Sequence, residues 1–453
     1  MTQSTATPKG TKDFLPTETA KRNYIFDTIK SVFKLHGYSP IETPAMENLS
    51  TLLGKYGDEG DKLIFRILNS GDFLKKMDEN DFNKPDLSKI VNKISEKGLR
   101  YDLTVPFARF VVKNQNELTL PFKRYQIQPV WRADKPQKGR YREFYQCDVD
   151  VIGSKTMINE YELIQIINSV FEKLKINAHI KINNRKILAG IFEIVGEADK
   201  FIPITVAIDK INKIGIDNVI EELNKIGLSK NAIKTLANLL DKKNNSNNNI
   251  SELKNILTNN PTGKEGIEEI EKILNYLEND NLFVKVNFDF SLARGLSYYT
   301  GTIFEVIAND AEIGSICGGG RYDDLTEMFG LKDISGVGVS FGAERIYDVM
   351  EQLNLFPEYA YTSTKVIFIN FGEKEENKCI QLAKELRKKG ISTEIYPEQA
   401  KLKKQMQYAN KKNIPYVIMI GEEELNSETL TIKNMNSGEQ KTIKAEELIR
   451  FFG

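Results

Sequence analysis

A chain of 453 residues with 40% hydrophobic and 28% charged residues has room for about three domains and the balance of an ordinary soluble globular protein. Its 63 basic and 63 acidic residues cancel, which excludes a general cationic coat and leaves only local patches for nucleic acid. No run of about 18 apolar residues suggests a membrane span, and the polar start Met1–Thr5 lacks the apolar core of a secretory signal.

Ile25, Phe26, Ile29, Val32 and Phe33 stand at helical spacing within Glu18–His36, and Gly37 ends the pattern. The prolines of Tyr38–Pro44 favour an extended stretch. Ile64–Leu68 reads as a strand, and Lys75–Lys97 as a polar surface excursion carrying a short helix. Strand character resumes at Leu99–Leu103, Pro121–Arg132 and Arg142–Gly153. The last two flank a Lys/Arg/Gly/Pro loop, Ala133–Tyr141, so an antiparallel sheet with a basic hairpin tip is expected. From Ala178 to Asp280 the text is mostly helical and reads as an insertion outside the sheet, broken by the Asn-rich Lys242–Asn249. Strands return at Val284–Leu292, Gly301–Ala308 and Gly336–Ser340, and a helix at Ala343–Leu353. After Thr364 the order becomes βαβαβ, which predicts a small α/β domain.

Chemistry concentrates on a few residues. Cys147, Cys317 and Cys379 are too scattered for a disulfide framework or a zinc site, which fits a reducing cytoplasmic compartment. With only His36 and His179 present, a histidine-based triad has little to draw on. No GxxxxGK[ST] loop is present. Three arginines lie in settings suited to gripping phosphate or carboxylate: Arg132 ends a strand, Arg294 precedes Gly295, and Arg345 follows the glycines of 336–342. A lone arginine of this kind is usually a surface salt bridge; three together beside a basic loop point to phosphate. Asp102, Thr104, Gln146, Asp150 and Tyr299 offer hydrogen-bonding groups at or within strand text. The plainer alternatives are a cap for Asp102, an exposed strand position for Asp150, core packing for Tyr298 and Tyr299, and a bulge for Gly318–Gly320.

Leu99–Arg109, the Arg132–Phe144 hairpin, Leu292–Glu305 and Lys9–Pro16 resemble the histidyl-tRNA synthetase family, nearly end to end. Tyr38–Pro44, Trp131–Phe144 and Gly336–Arg345 are similar to class II motifs 1, 2 and 3, and Arg294–Tyr299 to the histidine-specific signature. The resemblance implies an α+β catalytic domain built on the class II antiparallel sheet (1–177 and 283–355), a helical insertion (178–282), a C-terminal α/β anticodon-binding domain (364–453) and a homodimer. It implies that L-histidine is activated with ATP and Mg²⁺ and transferred to tRNA(His), with Arg132 and Arg294 as the catalytic arginines. Histidine would be bound by Asp102, Thr104, Arg132, Gln146, Asp150, Arg294, Tyr298, Tyr299 and Tyr322. ATP would meet Arg132, Asp134, Arg140, Phe144 and Arg345, and no dedicated protein site would hold the metal. Gln137, Lys138, Arg140, Lys401 and Lys404 would contact tRNA, although a lysine helix such as 401–412 can also be a solvated face. Asp102 and Asp150 are one methylene shorter than the glutamates of many bacterial members, and Ser297 replaces the usual aspartate of the signature. The main rival reading is a non-charging relative that acts as regulatory subunit of ATP phosphoribosyltransferase, which lacks an anticodon-binding domain; another class II synthetase is a second, weakened by the Arg294–Tyr299 signature.

Overall fold

In the computed structural model, residues 4–56, 60–78, 81, 86–240, 248–293 and 298–452 are described. They divide into two compact units, 1–12 with 25–355 and 13–24 with 356–453.

The first unit is organised on an eight-stranded sheet. In chain order the strands of this unit are β1 (Ser39–Pro40), β2 (Met46–Asn48), β3 (Arg66–Ile67), β4 (Lys97–Leu99), β5 (Phe122–Trp131), β6 (Glu143–Ile152), β7 (Ala178–Asn184), β8 (Lys285–Phe288), β9 (Thr302–Ala308), β10 (Cys317–Tyr322) and β11 (Gly336–Gly342). The large sheet runs β1-β5-β6-β11-β10-β9-β7-β8, and β2, β4 and β3 form a separate small sheet. Every pairing from β5 to β7 is antiparallel; β1 and β8 add parallel edges.

Register divides the centre of this sheet into two unlike faces, because successive side chains in a strand point to opposite sides. Cys147 and Cys317 both pair with Phe341. That face is apolar, and Phe33 and Phe171 each bring a ring within 6 Å of the Phe341 ring from their helices, Pro16–Leu35 and Ile158–Leu174. The opposite face carries Arg124 across from Asp150, Gln126 across from Asp148, and Gln146 and Asp148 beside Gly342 and Ser340. Burying such a polar face is costly unless its groups find partners, so this is the face on which a site is expected.

Two glycines permit the sheet to close. A Cβ on Gly319 would stand 2.0 Å from the carbonyl oxygen of Gly338, and one on Gly338 would stand 2.1 Å from Oδ1 of Asp150. The glycine run is thus regular strand rather than bulge, selected by close backbone approach.

Elsewhere the elements depart from the sequence expectation in three places. Tyr101–Leu103 is not strand: β4 stops at Leu99, and the Asp102 carboxylate accepts the Val105 N–H at 3.1 Å, capping the helix Thr104–Lys113. Pro106 is tolerated there because first-turn N–H groups have no intrahelical partner. Ala178–Asn184 belongs to the sheet as β7, with Ala178, Ile180 and Ile182 buried in alternation, so the helical insertion begins only at Arg185. The Ile64–Leu68 strand shortens to β3. In the Lys75–Lys97 excursion a helix covers Leu87–Ile94, while 79–80 and 82–85, like the Asn-rich 241–247, lie outside the described residues.

The second unit contains β12 (Val366–Phe368), β13 (Thr393–Ile395), β14 (Tyr416–Met419), β15 (Thr429–Asn434) and β16 (Gln440–Lys444) in the order β13-β12-β14-β15-β16. β12 pairs in parallel with β13 and β14, as the βαβαβ pattern predicts, and β15 and β16 extend the sheet antiparallel. Alternation again explains the packing. Val366, Phe368 and Ile418 face Leu382 and Leu386 of the helix Glu373–Lys388, while Ile367, Ile369 and Val417 face Ala409 of the helix Leu402–Lys411.

Candidate active site

A cavity of about 250 Å³ opens on the polar face of the large sheet. Ten of the residues singled out from the sequence line it: Asp102, Thr104, Arg132, Asp134, Arg140, Phe144, Gln146, Tyr298, Tyr299 and Arg345. They come from four separate stretches of chain, brought together by the β5–β6 hairpin, the start of the helix Thr104–Lys113, the residues before β9, and the turn from β11 into the helix Ala343–Gln352.

One part of the cavity is acidic and fixed by tyrosines. Asp102 is buried, with Oδ1 accepting from Tyr56 Oη at 3.0 Å and Oδ2 from Tyr298 Oη at 3.0 Å. Burial raises its pKa, opposed by the Val105 N–H, the Arg132 charge and the two phenols. Its cap role and a ligand role are compatible, because an ionised carboxylate has about four acceptor sites. Burial also raises the phenols of Tyr298 and Tyr299, which stay neutral donors. Their rings pack edge to face at 5.0 Å.

Another part is cationic. Arg132 donates Nε to the Tyr101 carbonyl at 3.0 Å and lies over the rings of Tyr101 and Phe144. This fixes the guanidinium stem, and its two Nη groups make no hydrogen bond among the described residues. Arg345 donates Nε to Gly139 O at 2.9 Å and Nη1 to Ser315 O at 2.6 Å. Its pKa is lowered by burial and then by the charges of Arg140 and Arg132, so these three guanidiniums crowd one region that an anion would relieve. Arg140 is 3.7 Å from Asp134.

Asp150 and Tyr322 do not line the cavity. They lie behind it, where Tyr322 Oη donates to Asp150 Oδ1 at 2.7 Å. Gln146 reaches the cavity and donates Nε2 to Ser340 Oγ at 2.9 Å, while its Oε1 is buried with no hydrogen-bond partner among the described residues. Gln137 and Lys138 sit at the hairpin tip, closed by reciprocal backbone hydrogen bonds between Gln137 and Arg140 and by Gly139 at φ +70°. Arg294, with Gly295, Leu296 and Ser297, lies outside the described residues. Lys401 and Lys404 are exposed in the second unit, with Lys403 and Lys411 on the same short helix.

Several cavity residues carried no sequence signal. Ser315 and Ile316 contribute from the segment before β10, Cys317 from its first residue, and Tyr141 through the hairpin. Glu344 both lines the cavity and accepts the Tyr145 N–H at 2.9 Å; its place beside Arg345 was the only hint. Tyr56, which holds Asp102, stood in a segment with no motif of its own.

The comparison with known proteins agrees with this geometry. The family model described as Histidyl-tRNA synthetase matches residues 10–77 and 68–346. The chain belongs to the histidyl-tRNA synthetase family. The model described as Anticodon binding domain matches residues 365–453. A histidine–tRNA ligase of Bacteroides fragilis is 56% identical over 442 residues, covering 98% of this chain and 97% of that one. A histidine–tRNA ligase of Christiangramia forsetii is 55% identical over 446 residues, covering 98% of each. The crystal structure of histidyl-tRNA synthetase from Nostoc sp. PCC 7120 superposes with a TM-score of 0.84 at 29% identity, covering 99% of this chain and 100% of that one. A Bacillus halodurans structure described as an ATP phosphoribosyltransferase regulatory subunit/histidyl-tRNA synthetase shares the fold, with a TM-score of 0.69 at 22% identity, covering 90% and 97%. Membership in the histidyl-tRNA synthetase family implies use of ATP. Among the described residues no helix is long and apolar enough to cross a membrane, and no cluster of three metal-ligating side chains occurs.

Proposed function

We propose that the chain is a histidine–tRNA ligase. It activates L-histidine with ATP to histidyl-adenylate and transfers the histidyl group to the 3′ end of tRNA(His), releasing AMP and pyrophosphate. The observation that carries this reading is one cavity holding a tyrosine-fixed carboxylate, Asp102, together with three crowded guanidiniums, Arg132, Arg140 and Arg345. The acidic part suits the α-ammonium of the amino acid, with Thr104 and Gln146 beside Asp102. The cationic part suits ATP, with Phe144 against adenine and Arg345 on its other face.

In the first step the histidine carboxylate attacks the α-phosphorus, the bond to the β-phosphate oxygen breaks, and pyrophosphate leaves. The carboxylate is already ionised, so no protein base is needed. The barrier is repulsion between anions and charge growing on phosphoryl oxygens, and fixed guanidiniums answer both. We assign this role to Arg132, which lines the cavity together with Asp102 and Arg345. By resemblance Arg294 is its counterpart. In the second step the terminal 3′-hydroxyl of tRNA attacks the adenylate carbonyl, and AMP leaves.

Mg²⁺ fits this cavity through its oxygen donors. Asp134 and Glu344 would hold it together with ATP phosphate oxygens, since Mg²⁺ keeps several waters and takes few protein carboxylates. When bound, it would neutralise phosphate charge.

Histidine selection is assigned to Asp150, Tyr299 and Tyr322. Hydrogen-bonding groups for a polar ring reject apolar analogues by about 10⁴ or more. The hairpin tip with Gln137, Lys138 and Arg140 is assigned to the acceptor end of tRNA, and Lys401 and Lys404 to its phosphates. The domain limits proposed are 1–184, which takes in β7, and 283–355 for catalysis, with the insertion narrowed to its helices from Arg185, and 364–453 for the anticodon. A cytoplasmic homodimer joined through Tyr38–Pro44 completes the reading.

The test is ATP–pyrophosphate exchange with each amino acid in turn. Exchange driven by histidine alone, strongly reduced in Arg294→Ala, is expected. Exchange driven by another amino acid overturns the assignment in favour of a different class II synthetase, and exchange driven by none favours a regulatory paralogue.

A further inference from the structure

Beneath the cavity, on the polar face of the sheet, lies a fully buried cation that the reaction does not use. Arg124 stands directly across the hairpin from Asp150, with Nη2 2.8 Å from Asp150 Oδ2 and 3.7 Å from Asp148 Oδ2. Its Nη1 donates to Gln126 Oε1 at 3.3 Å, and its guanidinium lies 4.2 Å over the ring of Phe107. All three charged side chains are nearly inaccessible to solvent.

Burying an arginine is costly, and a hydrophobic residue of similar size would ordinarily serve a sheet interior better. The pairing is also imperfect. The 2.8 Å approach is not aligned as a hydrogen bond, and Arg124 Nε and Nη2, Asp148 Oδ1 and Asp150 Oδ2 all lack aligned partners among the described residues. One guanidinium therefore serves two carboxylates without fully satisfying either. The other groups facing this cluster are Tyr322 from β10, Ser340 from β11, and the charges of Asp102 and Arg100; Cys317 and Tyr299 feel the same carboxylates.

We infer that Arg124 is a positioning residue for histidine recognition, held in common by Asp150 and Asp148, so that Asp148 governs how firmly Asp150 is fixed. This rests on the assignment of Asp150 to the imidazole. With Asp148 protonated, Arg124 belongs to Asp150 alone. With Asp148 ionised, the guanidinium is shared and the Asp150 carboxylate is less constrained. Burial, and then the neighbouring Asp150 charge, oppose ionisation of Asp148, whereas Arg124 favours it. A strut serving only the fold would have no reason to separate histidine from ATP, and that is the discriminating readout.

The experiment measures histidine-dependent ATP–pyrophosphate exchange on the full-length chain and on Arg124→Gln, Arg124→Lys and Asp148→Asn, with KM for histidine and for ATP across pH. Arg124→Gln is expected to raise KM for histidine by about tenfold or more, a change equivalent to one good charged contact, with KM for ATP unchanged. Arg124→Lys should recover part of that loss. The histidine KM of the parent is expected to rise with pH, and in Asp148→Asn that rise should flatten. Equal shifts in both KM values, unchanged histidine KM in Arg124→Gln, or a parental pH profile in Asp148→Asn overturns the inference. If Arg124→Gln does not fold, Arg124→Lys and Asp148→Asn still decide it. A parent showing no histidine-dependent exchange would instead remove the proposed function.

Discussion

The hydroxyl of Tyr298 donates to Oδ2 of Asp102 at 3.0 Å, tying the end of one sequence motif to the start of another 196 residues away. The second oxygen is held by Tyr56, so the carboxylate cannot rotate toward solvent. Removing one donor leaves a buried acceptor short of a partner. Tyr298→Phe should cost about 1–3 kcal/mol of stability. It should also raise KM for histidine more than KM for ATP. Thermal denaturation and exchange kinetics check the two parts; an unchanged melting temperature would contradict the first.

Arg132 is anchored through Nε and two aromatic rings, and it lines the cavity. Arg132→Ala should lower kcat for exchange by about 10²–10³, the usual loss for one electrostatic stabiliser. Circular dichroism should show an intact fold. A loss confined to KM would mean that Arg132 only binds.

Asp148 gives a pH dependence with a definite sign. Its native pKa is raised by burial above the unfolded value near 3.9, so the native state holds the proton more tightly. The stability it contributes is full below the unfolded pKa and is lost as pH rises through the native one. Asp148→Asn should thus melt close to the parent in acid and above it at neutral and alkaline pH. A gap that does not widen with pH would argue against a buried, protonatable Asp148.

The pair of Arg321 and Glu160 makes a contrasting case. Arg321 Nε and Nη2 bond both carboxylate oxygens at 2.6 and 2.7 Å, and Nη1 bonds Ser335. The Glu160 pKa is nonetheless raised, because burial outweighs the pairing, whereas the Arg321 pKa is raised by Glu160 against its own burial. Cutting one side strands a buried charge, so Arg321→Met should destabilise by about 3–5 kcal/mol. Urea titration measures this, and histidine KM in the surviving folded fraction should not move.

For the second unit, Lys401→Ala with Lys404→Ala should weaken tRNA charging while leaving exchange intact. The salt dependence of tRNA binding should become shallower, by about one unit of log–log slope for each phosphate that a lysine no longer neutralises. Unchanged slopes would identify these lysines as a solvated face.

Much of this architecture was readable because period and punctuation agreed with the fold. The β5–β6 hairpin, the helix after β11 and the βαβαβ unit all follow from alternation, glycine placement and helical spacing. What was hidden depended on pairing across the chain. Nothing local marks β7 as sheet when a helical stretch follows it, and Asp102 looks like strand text until Val105 is seen to need a cap. Ten cavity residues were found through recognised segments, but Tyr56 and Glu344 act through contacts whose partners lie far along the chain. Arg124 and Asp148 were concealed by the opposite problem: charged letters in strand text suggest exposure, and only register shows that both lie on the buried polar face beside Asp150.

The contact between Gly338 and Asp150 carries a consequence for how this sequence can vary. Because a single added carbon at 338 would meet the Asp150 carboxylate at 2.1 Å, the two positions share one volume. In a saturation library, substitutions at 338 would score as intolerant on their own. A smaller residue at 150 would relieve only part of that clash, because the same carbon would stand 2.7 Å from the Val149 carbonyl oxygen. The glycine at 338 would thus stay fixed even in a background with a smaller residue at 150, since side chain and backbone bound the same volume.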